Sequence, residues 1–168
     1  MSYAQHQSES KSIAARAAII TLSDTRTKAT DTSGSAISLQ LTGAGHFVLA
    51  YHLIPDEPAA LNVLLDQLLA NPEIDVILTN GGTGISQRDQ TIDVLSRRIE
   101  RPLPGFGELF RMLSWAEIGS GAMLSRACGG VLKGKLLFAM PGSTKAVELA
   151  MSRLIIPELQ HLLRELRK

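Results

Sequence analysis

Three glycines in four positions lie between a run of branched apolar residues and an Arg-Asp pair, in Leu78-Thr79-Asn80-Gly81-Gly82-Thr83-Gly84-Ile85-Ser86-Gln87-Arg88-Asp89. Glycine lets backbone come close to backbone or ligand, because there is no Cβ in the way. Successive N–H groups in such a turn form a concavity that suits an anion. A helix starting just beyond would add the positive end of its dipole. The residue types therefore suit phosphate, with Gly81, Gly82, Thr83 and Gly84 as cradle, Arg88 as cation and Asp89 as a carboxylate at the exit. The pattern is neither G-x-G-x-x-G nor a Walker loop ending in Gly-Lys-Ser/Thr. A plain strand-to-helix turn is the alternative.

Three more polar turns follow apolar runs: Ser23-Asp24, Pro55-Asp56-Glu57, and Pro141-Gly142-Ser143-Thr144-Lys145. Carboxylates that hold magnesium, N–H groups that take negative charge, hydroxyls and a lysine together suit chemistry on a phosphate ester. Each also has a local explanation. Asp24 suits a turn. Asp56, Asp89 and Ser143 each suit a helix N-cap, and Lys145 suits a solvated surface. The four histidines, at 6, 46, 52 and 161, have no zinc-ligand spacing, and there is no Gly-x-Ser-x-Gly nucleophile turn.

The elements that must bring these turns together can be read from the apolar pattern. Short continuous runs predict strands at 17–22, 47–54, 75–79 and 135–140. Helices are expected from Asp31-Thr32-Ser33-Gly34 to Gly43, through Leu61, Leu64, Leu65, Leu68 and Leu69, from about Asp89 to Ile99, and over 106–113. A helix is also read through about 122–128, and a last one after Ser143 that Pro157 could kink. Alternating strands and helices, with strands apolar on both faces, predict a three-layer α/β/α sandwich with a mainly parallel sheet. In such a sheet all strand C-termini share one edge, where the four turns would converge.

The 168 residues fit a single domain over 16–168, preceded by a polar, flexible arm over 1–15. With 17 Lys and Arg against 16 Asp and Glu, nothing suggests a nucleic-acid or membrane surface. No signal peptide or membrane-spanning run is read, and the single Cys128 reads as a packed thiol, so a cytoplasmic address is expected.

The ordered set Ser23-Asp24, Asp31-Thr32-Ser33-Gly34, Leu53-Ile54-Pro55-Asp56-Glu57, Asn80-Gly81-Gly82-Thr83-Gly84, Arg88-Asp89, Pro104-Gly105-Phe106-Gly107-Glu108, Phe110-Arg111-Met112-Leu113-Ser114 and Met140-Pro141-Gly142-Ser143-Thr144-Lys145-Ala146 resembles the molybdenum cofactor biosynthesis proteins of the MoaB/Mog type, close to the MoaB branch. They share a fold with the gephyrin G domain. The resemblance covers roughly residues 16–160. It implies transfer of AMP from magnesium-ATP to molybdopterin, with Asp56 and Asp89 as the essential, metal-holding aspartates. It also implies a trimer or hexamer and a molybdenum-insertion protein as partner. Asp89-Gln90-Thr91 is followed by Ile92 where the family usually has Pro. A non-catalytic molybdopterin-binding or scaffold protein of the same fold is the competing expectation.

Overall fold

The computed structural model describes residues 13–168. The strands are β1 (Arg16–Leu22), β2 (Phe47–Ile54), β3 (Val76–Asn80), β4 (Arg101–Pro102), β5 (Cys128–Leu132) and β6 (Lys135–Met140). The helices are α1 (Thr32–Gly43), α2 (Pro58–Ala70), α3 (Thr91–Arg98), α4 (Pro104–Ile118), α5 (Thr144–Ala150) and α6 (Ile156–Leu166). A 3-10 turn, Gly119–Leu124, follows α4, and a wide π turn, Met151–Ile155, joins α5 to α6. The strands form one sheet in the order β2-β1-β3-β6-β5-β4. The first four are parallel, β5 pairs antiparallel with β6, and β4 pairs antiparallel with β5.

Two cores explain the layering. Alternate residues of a strand point to opposite faces. Ala17, Ile19, Val76, Leu78, Leu136 and Phe138 face one way, toward Ile37 and Leu41 of α1, Phe106 and Phe110 of α4, and Val147, Leu159 and Leu163 of α5 and α6. Ala18, Ile20, Ile77 and Leu137 face the other way, toward Leu61, Leu65 and Leu68 of α2 and Leu95 of α3. The sheet is covered on both faces, as its continuous apolar strands require.

The register brings the strand ends level. Thr21 pairs with Leu53 and Asn80, and Asn80 pairs with Met140. The turns after β1, β2, β3 and β6 therefore leave the sheet side by side. The opposite edge is tied by Asp75, whose carboxylate takes hydrogen bonds from Arg16 at 3.1 and 3.2 Å and from Arg167 at 3.0 Å.

The segment 119–134 departs from the expected helix over 122–128. The 3-10 turn stops at Leu124, and Cys128 opens strand β5. The glycines explain the difference. A Cβ on Gly129 would lie 2.6 Å from the Phe138 ring, and one on Gly130 would lie 2.6 Å from the Arg101 carbonyl oxygen. Those two residues let β5 lie flat between β6 and β4. Phe138 in turn meets Phe106 edge-on, with ring centroids 4.9 Å apart.

Two more differences are local. The amphipathic helix expected over 106–113 runs on as α4 to Ile118, where Gly119 ends it at a φ of +59°. At Pro157, where a kink was expected, the last helix is divided by the π turn Met151–Ile155. Proline has no N–H, and its ring clashes with the carbonyl four residues back. A wide turn just before it makes room, and Ile156 N–H donates to Met151 O, five residues back. Of the expected arm, residues 1–12 lie outside the described residues. Ala15 is fully buried, and its N–H donates to His46 Nδ1 at 3.1 Å.

Candidate functional site

The turn after β1 is built on Ser23. Its hydroxyl accepts the Arg26 N–H at 3.1 Å, which folds Asp24 outward and Arg26 inward. The Arg26 guanidinium then joins three elements. It donates to Asp31 Oδ1 at 3.2 Å, to Ser33 Oγ at 2.9 Å and to the Gly142 carbonyl at 2.9 Å. Asp31 is buried at the start of α1, where it accepts from Gly34 N–H and from the Tyr51 hydroxyl. Burial alone would raise its pKa, but the hydrogen bonds from Gly34, Thr21 and Tyr51 and the charge of Arg26 hold it below the ordinary carboxylate value. Burial and the same carboxylate push Tyr51 up to about 12.

The glycine turn packs against this frame. Gly81 has a φ of +98°, donates its N–H to Met140 O, and would drive a Cβ to 2.1 Å from the Leu22 carbonyl oxygen. Gly82 has a φ of +62°, and its Cβ would meet Thr91 Oγ1 at 2.2 Å and Asp56 Oδ1 at 2.3 Å. A Cβ on Gly84 would meet Asp89 Oδ2 at 2.6 Å. The last two glycines thus let two carboxylates lie against the loop.

Asp89 is an internal anion of the turn. It accepts from the Ser86 hydroxyl at 2.5 Å and the Ser86 N–H at 3.0 Å. The Ser86 hydroxyl, the N–H groups of Ser86 and Gly84, and the charge of Arg126 hold its pKa below the usual range, against a smaller effect of burial. Asp56 is its opposite. Its own N–H donates to Asp24 Oδ1, but among the described residues no donor reaches its carboxylate. Burial raises its pKa, and the charges of Asp89 and Asp24 raise it further, with Arg88 opposing. Arg88 pairs with Asp24 at 2.7 Å. Neither Asp56 nor Asp89 caps a helix: Glu57 and Gln90 hold those positions, without side-chain bonds. Ser143 does cap α5, accepting from Ala146 N–H.

These groups line a cleft of ≈ 570 Å³, within the usual range for a small-molecule site. Ser23, Asp24, Asp56, Gly81, Gly82, Thr83, Gly84, Asp89, Pro141, Gly142 and Ser143 all line it. It opens between β1 and β3, whose connections leave toward opposite sides of the sheet, the usual place for a ligand in such folds. Three expected residues are placed otherwise. Arg88 does not line the cleft; it pairs with Asp24, and its charge acts on Asp56. Thr144 turns its hydroxyl to Thr32 and Ser33. Lys145 lines a separate depression with Glu117, Glu148 and Arg153. A second cavity of ≈ 450 Å³, walled mainly by Leu103, Phe106, Leu109 and Leu162, is apolar and away from the strand ends.

Sequence reasoning missed Thr25, Arg26 and Leu124 in the lining, Thr91 beneath Gly82, and Arg126. Arg126 donates to the Gly84 carbonyl at 2.9 Å and to Asp93 at 2.8 Å, fastening the loop from outside. Arg26 carried a signal in its place two residues after Asp24. Arg126 carried none, because the chain around it was read as helix.

Among the described residues, no three His, Cys, Asp or Glu side chains gather as a self-sufficient metal cage. Magnesium on a nucleotide needs less: one or two carboxylates, with phosphates and water completing six oxygens. Asp56 without a donor, the Asp89 and Asp24 charges beside it, and a buried Thr91 hydroxyl without a partner fit that kind of ion.

Residues 18–161 match the family described as a probable molybdopterin binding domain. The chain belongs to that family. Among relatives of this molybdopterin-binding-domain member, the molybdenum cofactor biosynthesis protein B of Halalkalibacterium halodurans is 48% identical, over 100% of this chain and 99% of its own. A crystal structure of a molybdenum cofactor biosynthesis protein B superimposes with a TM-score of 0.90 at 47% identity, covering 92% of this chain and 97% of the other. The tungsten cofactor synthesizing protein MoaB of Pyrococcus furiosus gives 0.83 at 31% identity, covering 92% and 98%. The sandwich and its mainly parallel sheet are thus the fold of the MoaB/Mog proteins. No helix among the described residues is long and apolar enough to cross a membrane.

Proposed function

We propose that this protein works in molybdenum cofactor biosynthesis as a molybdopterin adenylyltransferase. A terminal phosphate oxygen of molybdopterin attacks the α-phosphorus of ATP. One O–P bond forms, the bond to the β-phosphate oxygen breaks, and pyrophosphate leaves with that electron pair. The nucleophile is already an anion, so no general base is needed. The obstacle is repulsion between anions, and catalysis must come from placement and opposing charge.

The observation that carries this reading is Asp56: a carboxylate held against the glycine loop, with two acidic neighbours and, among the described residues, no donor. A protein that only held an anionic pterin phosphate would gain nothing from a carboxylate there. The chemistry that magnesium would supply here is withdrawal of negative charge from the phosphates. Asp56 and Asp89 would hold the ion, the N–H groups of Gly82 and Thr83 would face phosphate oxygens, and Arg26 would fix the Gly142 wall.

The exposed apolar face of α4 and the turn after it supports a homo-oligomer. Met112, Trp115, Ile118 and Met123 are each more than half exposed, Trp115 at 61% and Met123 at 81%. A trimer or hexamer covering that face is expected in light scattering, and a monomer at micromolar concentration would refute it.

The test is pyrophosphate release from magnesium-ATP with and without molybdopterin, with chromatographic detection of the adenylylated pterin. Stoichiometric binding of molybdopterin without pyrophosphate release would leave a binding or scaffold protein in place of the enzyme.

A further inference from the structure

We propose that Thr91 is a positioning residue for the cation site: its hydroxyl donates to Asp56 and fixes the carboxylate in the orientation that binds a divalent ion on a nucleotide. The inference rests on the adenylyl-transfer reading and adds a residue to it. Thr91 is 2% exposed, and Oγ1 has no hydrogen-bond partner among the described residues. Its backbone N–H donates to Gly82 O at 3.0 Å, at the first position of α3. Oγ1 and Asp56 Oδ1 flank one point, 2.2 and 2.3 Å from where a Gly82 Cβ would sit. The Asp56 carboxylate in turn meets no donor among the described residues.

An unused donor and an unused acceptor therefore share one side of the loop. A buried hydroxyl with nothing to bond is unfavourable in the ligand-free protein. In the proposed cation-binding state the hydroxyl would turn toward the carboxylate. Donation to one oxygen of Asp56 leaves the other to face the cleft. A threonine kept for packing alone would fill that space as well with a methyl in place of the hydroxyl.

That contrast gives the test. Thr91→Val keeps the shape and removes the donor, and Thr91→Ser keeps the donor. Binding of Mn2+ with a non-hydrolysable ATP analogue is followed by calorimetry and by the Mn2+ spin-resonance signal, alongside thermal unfolding without ligand. Thr91→Val is expected to weaken Mn2+–nucleotide binding roughly tenfold, the loss of one hydrogen bond to a charged group. Its unfolding temperature should equal or exceed the parent's, because an unpaired hydroxyl is gone. Thr91→Ser should bind like the parent. Parent-like binding by Thr91→Val, equal weakening in both variants, or failure of Thr91→Val to fold would each overturn the proposal. If the parent itself binds the nucleotide without any dependence on Mn2+, the adenylyl-transfer reading falls and takes this inference with it.

Discussion

Adding one methyl group at each of three glycines should separate backbone strain from crowding of the site. Gly45, Gly82 and Gly81 all have positive φ, at +80°, +62° and +98°. They differ in what a Cβ would meet. At Gly45 nothing lies within 4 Å. At Gly82 the obstacles are two side-chain oxygens, of Thr91 and Asp56. At Gly81 the obstacle is the Leu22 carbonyl, part of the β1 backbone.

Gly45→Ala carries only the left-handed backbone penalty, about 1 kcal/mol. Gly82→Ala adds displacement of two side chains from their rotamers, at about 0.5–1.5 kcal/mol each, for a total of about 2–4 kcal/mol. Gly81→Ala must shift strand backbone in a packed sheet, and is expected to cost more than about 3 kcal/mol and to compromise folding. Urea unfolding gives the three values. Mn2+–nucleotide titration gives the functional half: Gly45→Ala binds like the parent, while Gly82→Ala folds but loses most binding because Asp56 has been pushed aside. Equal destabilisation at 45 and 82, or full binding by Gly82→Ala, would refute the claim that this glycine exists to admit the Asp56 carboxylate.

Asp56→Asn removes a charge that has no donor, so turnover should fall by about two to four orders of magnitude. The ligand-free fold should be no less stable than the parent at pH 7. The sign follows from the raised pKa: the folded state holds the Asp56 proton more tightly, so its ionisation detracts from stability as pH rises above the ordinary carboxylate range. A variant that is both active and destabilised would contradict both halves. Lys145→Ala should leave nucleotide and pterin affinity within about twofold, since Lys145 lines a different depression. A loss of affinity with a shallower salt dependence would return that lysine to the site. Burial lowers the pKa of His46 from 6.5, and its neutral Nδ1 accepts the Ala15 N–H. Stability should therefore be complete above about pH 6.5 and decline as pH falls through the lowered value. His46→Asn should flatten that acid limb in unfolding-temperature measurements, and an unchanged limb would place the titration elsewhere.

The parallel half of the sheet was legible because each of its strands is a short run apolar on both faces, closed by a polar or glycine turn. Once the strands are parallel, their ends must meet, and Asp56, the glycine loop and Gly142 follow. What could not be read was the choice between helix and strand at 119–134, where glycine content suits neither. Only tertiary contacts decide it: Phe138 and the β4 backbone leave no room for side chains at 129 and 130. Asp89 lines the cleft. Its engagement with Ser86 and the loop N–H groups depends on backbone direction that spacing does not reveal.

The segment hardest to read also closes the site. Leu124, at the end of the 3-10 turn, lines the cleft, and Arg126, two residues on, grips the Gly84 carbonyl and Asp93. Arg26 holds the opposite wall by a similar device, a guanidinium on the Gly142 carbonyl with a carboxylate, Asp31, beside it. Two arginines thus fix two backbone carbonyls on either side of the loop. Each guanidinium is partly neutralised by an aspartate, so what they supply to the cleft is rigidity more than charge. In the proposed reaction the charge that opposes the phosphates would then have to come from a bound cation, and Asp56, whose carboxylate meets no donor among the described residues, is the side chain that would hold it.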